Sequence, residues 1–249
     1  MSLRTLSTGV RSVLQPLAHG ALDLLFPPRC AACKRFGSRF CASCLAQVEP
    51  LLPPVCHRCG RPRRSDDICP TCRQAPASLD GIRSASLFDE PLRSAIHHFK
   101  YLGARELAQP LSTLLMDCWQ RYSLSADLLV PVALHKRRVR DRGYNQSELL
   151  ARELGALCKR PVETGTLRRV RDTLPQVTVG ARQRQENVAG AFRCSSGAVR
   201  GLRVVLVDDV CTSGATLEAC ATALRAEGQA ASVRALTVAR ARGLDDRTG

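Results

Sequence analysis

Thirteen consecutive residues, 204–216, combine side-chain types that suit phosphate and hydroxyl chemistry. The segment VVLVDDVCTSGAT begins with four apolar residues, three of them β-branched, which is typical of a buried strand. Asp208 and Asp209 follow this strand, and a short run of small and hydroxylated residues comes next. From Leu217 to Gly228, apolar and small residues recur at helical spacing. The segment therefore predicts a strand, a tight loop and a helix.

The predicted loop joins the carboxyl end of a strand to the amino end of a helix, where backbone N–H groups lack partners. The helix dipole adds partial positive charge, which favours a bound phosphate. Gly214 permits close approach of a ligand, and Thr212, Ser213 and Thr216 supply hydroxyl donors. The two carboxylates suit vicinal ribose hydroxyls, which donate hydrogen bonds, so we expect a ribose 5-phosphate ligand. The alternative is an ordinary turn with capping residues.

Eight of the thirteen cysteines lie between residues 30 and 72 and form four Cys-x-x-Cys pairs. Four thiolates from two such pairs make a tetrahedral zinc site, so two structural zinc ions are expected. Sequence order gives one set as Cys30, Cys33, Cys41 and Cys44 and the other as Cys56, Cys59, Cys69 and Cys72, with an interleaved pairing still open. Neither set has room for much core, so metal binding must supply on the order of 10 kcal/mol of folding free energy per site.

Two other interpretations of the cysteines are weaker. Disulfides are disfavoured because no export signal is expected at the start of the chain. Four regular pairs also fit an iron–sulfur cluster less well than zinc. His57 lies inside a pair and is expected to be a spacer rather than a ligand.

Positive charge is concentrated in one part of the chain. The 249 residues include 37 basic and 22 acidic ones, which gives a net charge of +15 at pH 7. Only four of the basic residues are lysines, so the arginine excess reflects either coding bias or binding to a polyanion. Residues 136–203 hold 16 basic and 6 acidic residues, and this local excess weakens the coding-bias explanation.

Further elements must position these groups. We predict, in chain order, an edge strand at 82–88, helices at 91–101 and around 110–119, a strand at 127–132, a cationic loop from 133, a helix at 147–159, a strand at 166–170, a long polar segment up to 192 and a last strand at 232–239, with a frayed tail from Arg240.

The first 25 residues predict a short amphipathic helix, because their apolar residues follow helical spacing. An organellar presequence is the alternative, since this segment contains arginine and serine but no acid before Asp23. No stretch approaches the ~18 consecutive apolar residues of a membrane span. We therefore expect a cytoplasmic protein.

The 204–216 segment resembles the motif with which type I phosphoribosyltransferases bind phosphoribosyl pyrophosphate (PRPP). Longer segments are similar to the ComF family of competence and DNA-utilisation proteins, among them LLFPPRCAAC, HHFKYLGARELA, VPVALHKRRVRDRGYNQSELLARELG and LVDDVCTSGATLEACATALRAEG. The resemblance covers nearly the whole chain. It implies an α/β fold in which a type I phosphoribosyltransferase domain, a parallel sheet with flanking helices, follows a double zinc ribbon. The implied domains are the N-terminal helix at 1–25, the double zinc ribbon at 26–76, a helical connector or hood at 77–125, the phosphoribosyltransferase domain at 126–242 and a tail at 243–249.

The resemblance also implies roles for individual residues. Asp208 and Asp209 would hold the ribose hydroxyls of PRPP, and its 5-phosphate would be bound by Thr212, Ser213, Gly214, Ala215 and Thr216. Mg²⁺ is expected with PRPP, held mainly by oxygens of the ligand itself. Residues 133–138 match the pyrophosphate-binding position, with Lys136 and Arg137 as the catalytic cations. A flexible loop that closes over PRPP would include Arg168, Arg169, Arg171, Gln176, Arg182 and Asn187.

Two functions of different class follow from these observations. The first is phosphoribosyl transfer to an unknown acceptor. The second is the handling of incoming single-stranded DNA, with a PRPP site that only senses its ligand or is vestigial. The intact motif favours the first. The charge, the zinc ribbons and the family resemblance favour the second, with competence and DNA-processing proteins as further partners.

Overall fold

The computed structural model describes residues 27–65, 67–75, 77–172, 188–195 and 197–242. The strands are β1 Gly81–Leu87, β2 Leu128–Pro131, β3 Leu167–Arg169, β4 Phe192–Cys194, β5 Arg203–Cys211 and β6 Ser232–Arg240. The helices are α1 Ala42–Leu45, α2 Pro70–Gln74, α3 Leu92–Tyr101, α4 Ala108–Arg121, α5 Lys136–Arg142, α6 Gln146–Cys158 and α7 Ala215–Ala226, with a 3-10 turn at Arg105–Leu107. The predictions for residues 1–25 and 243–249 and for Gln176, Arg182 and Asn187 fall outside the described residues.

Four parallel strands form the central sheet in the order β1-β6-β5-β2. β5 lies inside this order, and its residues 204–209 are all buried. A parallel strand that is covered on both faces needs a continuous apolar run, which VVLV supplies. The parallel sheet with flanking helices confirms the predicted α/β fold class, and β1 at the margin of the sheet confirms the predicted edge strand.

Each face of the sheet packs against its own hydrophobic cluster. Val205 and Val207 belong to the cluster formed with α3, α4 and α6. Val204 and Leu206 belong to the other cluster, which includes α7 and the antiparallel β3–β4 pair. This alternation follows from the period of two along a strand, and it fixes which face each neighbouring side chain of β5 occupies.

The segment at 77–125 contributes directly to the sheet. Its strand β1 pairs along most of its length with β6, from Gly81 opposite Arg234 to Leu87 opposite Arg240. Its helix α4 packs beside α6, where the Ser112 hydroxyl donates to the Leu150 carbonyl at 3.1 Å. The sheet therefore extends into the segment assigned as a connector.

The cationic segment after β2 is a helix, so the prediction of a loop there was wrong beyond residue 135. α5 has the sequence KRRVRDR, and Lys and Arg are good helix formers even without an apolar face. Gly143 ends the helix with φ of 81°, and its N–H donates to the Val139 carbonyl at 2.7 Å. A glycine in this left-handed conformation is a common helix terminator, and this signal was present in the sequence.

The prediction that the frayed tail begins at Arg240 was also wrong, because β6 continues to this residue. Arg240 is the last residue of β6 and is only 1% exposed. Its backbone carbonyl accepts the Phe88 N–H at 2.8 Å, which continues the pairing of β6 with the end of β1. Propensity near a chain end did not indicate this burial, because the contacts come from residues far away in sequence.

The two cysteine-rich segments share one local backbone, in which Cys30 corresponds to Cys56 and Lys34 to Gly60. The N–H groups of Cys30 and Cys56 each donate to the carbonyl five residues later at 2.8 Å. Lys34 and Gly60, which directly follow the second cysteine of each first pair, have positive φ angles of 64° and 69°. We call these segments the first ribbon, residues 27–48, and the second ribbon, residues 53–75. Buried residues of the first ribbon join the α3–α4 side of the core.

Candidate functional site

The predicted strand, loop and helix at 204–216 are present, with β5 ending at Cys211 and α7 beginning at Ala215. Gly214 has φ of 86°, a conformation that favours glycine. The Ser213 hydroxyl accepts the Ala215 N–H at 3.3 Å, Thr212 is exposed and Thr216 is half-buried. The first N–H groups of α7 and the hydroxyls of the loop thus form one polar turn at the carboxyl edge of the sheet.

Asp208 and Asp209 are both buried beside this turn, and other elements fix their orientations. Asp208 Oδ1 accepts the Ser147 hydroxyl at 2.7 Å and the Asp209 N–H at 2.9 Å. Lys100 Nζ lies 2.7 Å from Asp209 Oδ1. Asp209 Oδ2 is buried and has no hydrogen-bond partner among the described residues. One carboxylate oxygen is therefore left with an unmet capacity to accept hydrogen bonds.

The charge of Asp209 affects the pKa of Asp208. Burial and the neighbouring Asp209 raise the pKa of Asp208 to about 7, although Lys100 and the Ser147 hydroxyl act in the opposite direction. Burial alone would lower the pKa of Lys100, but the charge of Asp209 and its hydrogen bond raise it overall. Lys100 is therefore a cation at neutral pH, and Asp208 keeps a proton more readily than an exposed carboxyl group does.

Lys100 and Ser147 were not predicted as site residues. Ser147 lies in the first turn of α6, where its N–H donates to the Asn145 side chain at 3.1 Å. Lys100 lies in the last turn of α3. The sequence contained one signal for Lys100. Only four of the 37 basic residues are lysines, so a lysine in this arginine-rich chain is unusual.

Some of the cationic residues predicted to bind pyrophosphate or to form the flexible loop line one common cavity. Lys136 and Arg137 begin α5 and are exposed. A cavity of about 630 Å³ lies beside β2 and α6, and Lys136, Arg168 and Arg169 line it. Arg169 also places its guanidinium 5.5 Å from the centre of the Phe192 ring. Arg137 and Arg171 lie outside this lining.

Each ribbon brings its four cysteines together in the sequence-order pairing, so the interleaved alternative is excluded. The four Sγ atoms of each set lie within 4.8 Å of one another. Cys33 and Cys41 Sγ are 3.6 Å apart, and Cys59 and Cys69 Sγ are 3.9 Å apart. Zn–S bonds of about 2.3 Å in a tetrahedron place sulfurs about 3.8 Å apart, so the sets fit zinc. His57 is not part of either set.

The second ribbon packs on β1 and faces the polar turn after β5 across a small cavity. The Ile82 N–H of β1 donates to the Arg58 carbonyl at 2.7 Å. A cavity of about 80 Å³ separates ribbon and turn, and its lining includes Arg58, Cys59, Cys72, Ser213, Gly214 and Ala215. One zinc site is thus a close neighbour of the candidate anion site.

Two family models match the chain in keeping with this architecture. A double zinc ribbon domain matches residues 21–73, and a phosphoribosyl transferase domain matches residues 139–247. The fold and site together define a double zinc ribbon joined to a phosphoribosyltransferase-type domain.

Curated relatives identify the family more closely. The chain is 34% identical over 196 residues to the DNA utilization protein YhgH of Salmonella typhimurium, covering 76% of this chain and 86% of that protein. It is 27% identical over 209 residues to the competence protein ComFC of Bacillus subtilis, covering 81% of this chain and 84% of that protein. The chain belongs to the ComF family of DNA-utilisation and competence proteins.

Among solved structures, one similar chain is the glutamine PRPP amidotransferase from B. subtilis. The two share 21% sequence identity with a TM-score of 0.40, and the match covers 57% of this chain and 30% of that one. Across the described ranges, no helix is long and apolar enough to cross a membrane.

Proposed function

We propose that this chain binds PRPP together with Mg²⁺ at the carboxyl edge of its sheet. The acid pair carries the proposal: Asp208 and Asp209 are held by Ser147 and Lys100, yet Asp209 Oδ2 is buried without a partner in the described part of the chain. A buried carboxylate oxygen without a donor is costly, and the vicinal hydroxyls of a ribose are donors of the required kind.

The loop after β5 supplies the other half of the proposed site. The residues Thr212, Ser213, Gly214, Ala215 and Thr216 would bind the 5-phosphate through hydroxyls and through N–H groups at the start of α7. In this proposal the carboxylates would face the sugar and the donors would face the phosphate. A single ligand that carries both groups therefore satisfies the site.

Mg²⁺ fits this donor set, because Asp209 Oδ2 is a hard oxygen atom and the ligand contributes more of them. Bound with PRPP, the ion would neutralise charge on the pyrophosphate. Lys136 and Arg137 would stabilise the same group as it leaves, and Arg168, Arg169 and Arg171 would add positive charge beside it.

A phosphoribosyl transfer at this site would be a balanced displacement. The bond between ribose C1 and the pyrophosphate oxygen breaks, pyrophosphate keeps the electron pair, and the acceptor bonds to C1 and loses a proton. No protein nucleophile is required. Burial raises the pKa of the Cys211 thiol despite the nearby guanidinium of Arg240, which supports a packing role for Cys211 rather than a reactive one.

For the biological role, we propose uptake or processing of single-stranded DNA. The names of the relatives, DNA utilization protein and competence protein, support this role. The excess of basic over acidic residues in 136–203 supports contact with a polyanion. The cytoplasm is the compartment we propose, because zinc-binding thiolates persist where thiols stay reduced.

The test is calorimetry of PRPP with Mg²⁺ against the wild type and the double variant Asp208→Asn, Asp209→Asn. We expect wild-type binding and its loss in the variant, since each charged acceptor contributes roughly 1.5–3 kcal/mol. Glu153→Gln, on the exposed side of α6, is the matched control for loss of a carboxylate. Equal affinity of the wild type and the double variant would refute the assignment, and a wild type that binds no PRPP would support the non-catalytic DNA-handling alternative.

A further inference from the structure

Arg240 occupies an unusual position between the second ribbon and the candidate PRPP loop. It is the last residue of β6 and is 1% exposed. Its Nη1 donates to the carbonyl of Cys59, a member of the second cysteine set, and lies 3.1 Å from Cys211 Sγ at the end of β5. Its Nε and Nη2 are buried and have no hydrogen-bond partner in the described part of the chain.

A guanidinium group stays charged in a protein, so its burial requires a nearby anion. None of the ion pairs formed among the described residues includes Arg240. Arg61 is a second cation here, with a buried Nε that lacks a partner in the described ranges. Both arginines are close enough to Cys211 to act on its pKa. The described residues therefore leave the positive charge of these two arginines uncompensated beneath the loop.

The second ribbon supplies the missing anion once zinc is bound. Four thiolates around one Zn²⁺ carry a net charge of minus two. Arg240 Nη1 donates to the carbonyl of Cys59, one of these four cysteines, so the guanidinium lies beside the centre. A zinc–thiolate centre and a buried guanidinium are thus mutually stabilising at this position, and Arg240 acts as an outer-sphere partner of the metal site.

We propose that Arg240 links zinc in the second ribbon to the loop at 212–216, so that each site strengthens the binding of ligand at the other. The part about PRPP rests on the proposed function. When zinc leaves, the doubly negative zinc–thiolate centre is lost and the guanidinium loses its compensating charge. Arg240 is then driven toward water and away from Cys211, the residue directly before the loop.

Packing offers a short route for this coupling. A Cβ atom placed on Gly214 would lie 3.9 Å from Cys211 Sγ and 3.2 Å from Ile82 Cδ1, so the loop has little freedom to shift alone. Coupling between two binding sites is reciprocal, so bound PRPP should raise the affinity for zinc by the same factor by which bound zinc raises the affinity for PRPP. The zinc site of the first ribbon serves as the internal control for the zinc site of the second. The cation there, Lys34, donates to the Ala31 carbonyl at 2.7 Å and contacts His98, not the loop at 212–216.

The first experiment needs no PRPP. The zinc protein is compared with Arg240→Met, which keeps much of the volume but removes the charge, and with Arg240→Lys, which keeps the charge. Arg234→Met, on an exposed position of the same strand, is the matched control. We expect Arg240→Met to release one of two zinc ions to a chelator about 10- to 100-fold faster, with Arg240→Lys between it and the wild type. Cadmium-113 spectra of the cadmium-substituted protein should show one of two resonances displaced.

The second experiment adds saturating PRPP and Mg²⁺ to the wild type and to Arg240→Met. We expect slower release of the same zinc ion in the wild type and no effect in the variant. Wild-type release kinetics and unshifted cadmium resonances in Arg240→Met would overturn the inference. So would PRPP that binds the wild type normally without changing zinc release. If the wild type binds no PRPP, the proposed function fails, while the first experiment still decides the role of Arg240 at the zinc site.

Discussion

Lys100 Nζ lies 2.7 Å from Asp209 Oδ1, which joins the last turn of α3 to the carboxyl end of β5. The contact spans more than one hundred residues of sequence and connects the segment at 77–125 to the acid pair. It holds one oxygen of Asp209 and leaves the other without a partner among the described residues. Lys100 therefore orients the carboxylate that we assign to the ribose.

Replacing Lys100 with Met should weaken PRPP binding by roughly 1.5–3 kcal/mol, about ten- to a hundredfold, because a charged hydrogen bond to Asp209 is lost. Calorimetry with PRPP and Mg²⁺ measures this change. Lys100→Arg should retain part of the affinity, since it keeps the charge but not the point-like ammonium. Lys159→Met, at an exposed helix end, serves as the control and should bind normally. Unchanged affinity in Lys100→Met would remove Lys100 from the site.

The ligand-free protein should lose stability as the pH rises through about 7 because of Asp208. Its pKa is raised from 3.8 to about 7, mainly by burial and Asp209, so the folded state holds a proton that the unfolded chain has already released. The contribution of Asp208 to stability is fully present below the unfolded pKa of 3.8 and is lost as the pH rises to about 7, where the folded group ionises. Urea unfolding at pH 6 and pH 8 measures the decline. Asp208→Asn should abolish it, and an equal pH dependence in this variant would contradict the assignment.

Each chain should carry two zinc ions, one per cysteine set. Elemental analysis of the purified protein should find two equivalents, and Cys59→Ser should reduce the content to one, because three thiolates bind zinc more weakly than four. Cys158→Ser, outside both sets, is the control and should keep two. One equivalent or none in the wild type, or absorbance typical of an iron–sulfur cluster, would rule out the two-ribbon assignment.

Gly60→Ala should destabilise the protein more than Gly103→Ala, although both glycines have φ of 69°. Each change incurs ~1–2 kcal/mol for a left-handed conformation. At Gly60 the added Cβ would also lie 2.4 Å from the Ile82 carbonyl oxygen, whereas at Gly103 it would meet nothing within 4 Å. Overlap with backbone should add ~1–3 kcal/mol. Chemical denaturation compares the two, and equal losses would mean that the second ribbon does not pack tightly on β1.

Single-stranded DNA should bind without sequence preference, and its affinity should fall steeply as the salt concentration rises. With only 4% aromatic residues the chain can stack on few bases, so neutralisation of phosphates dominates the binding. Lys136, Arg137 and Arg140 are exposed on α5. Changing all three to Ala should lower the salt slope by about 2, at ~0.7 per contacted phosphate. Labelled DNA titrated at several salt concentrations measures this slope, and Arg234→Ala is the control.

A competition experiment between PRPP and DNA tests whether both ligands contact α5. If the same cations serve DNA and pyrophosphate, PRPP should displace DNA. Salt-sensitive binding that ignores PRPP would place DNA on another surface, of which the exposed Arg63 and Arg64 of the second ribbon are the best candidates. Absence of binding at low salt would exclude the DNA hypothesis.

The sequence by itself determined the features that depend on neighbouring residues. An apolar run, two acids and a glycine within 204–216 specified a strand, a turn and a helix, and the structure confirms all three. Four Cys-x-x-Cys pairs specified two metal sets, because each pair brings two sulfurs together through one short turn. In both cases the chemistry needs groups that the local backbone already places side by side.

Only the tertiary structure decided which distant groups complete the site. Lys100 of α3 and Ser147 of α6 reach the acid pair, and Arg240 of β6 contacts Cys211 directly before the loop. No local periodicity encodes those contacts. Lys100 and Arg240 are charged residues in buried surroundings, whereas sequence patterns predict that charged residues are exposed. The physical reason is that buried ions are stable only beside their partners, and the partners come together only when helices and the second ribbon pack on the sheet.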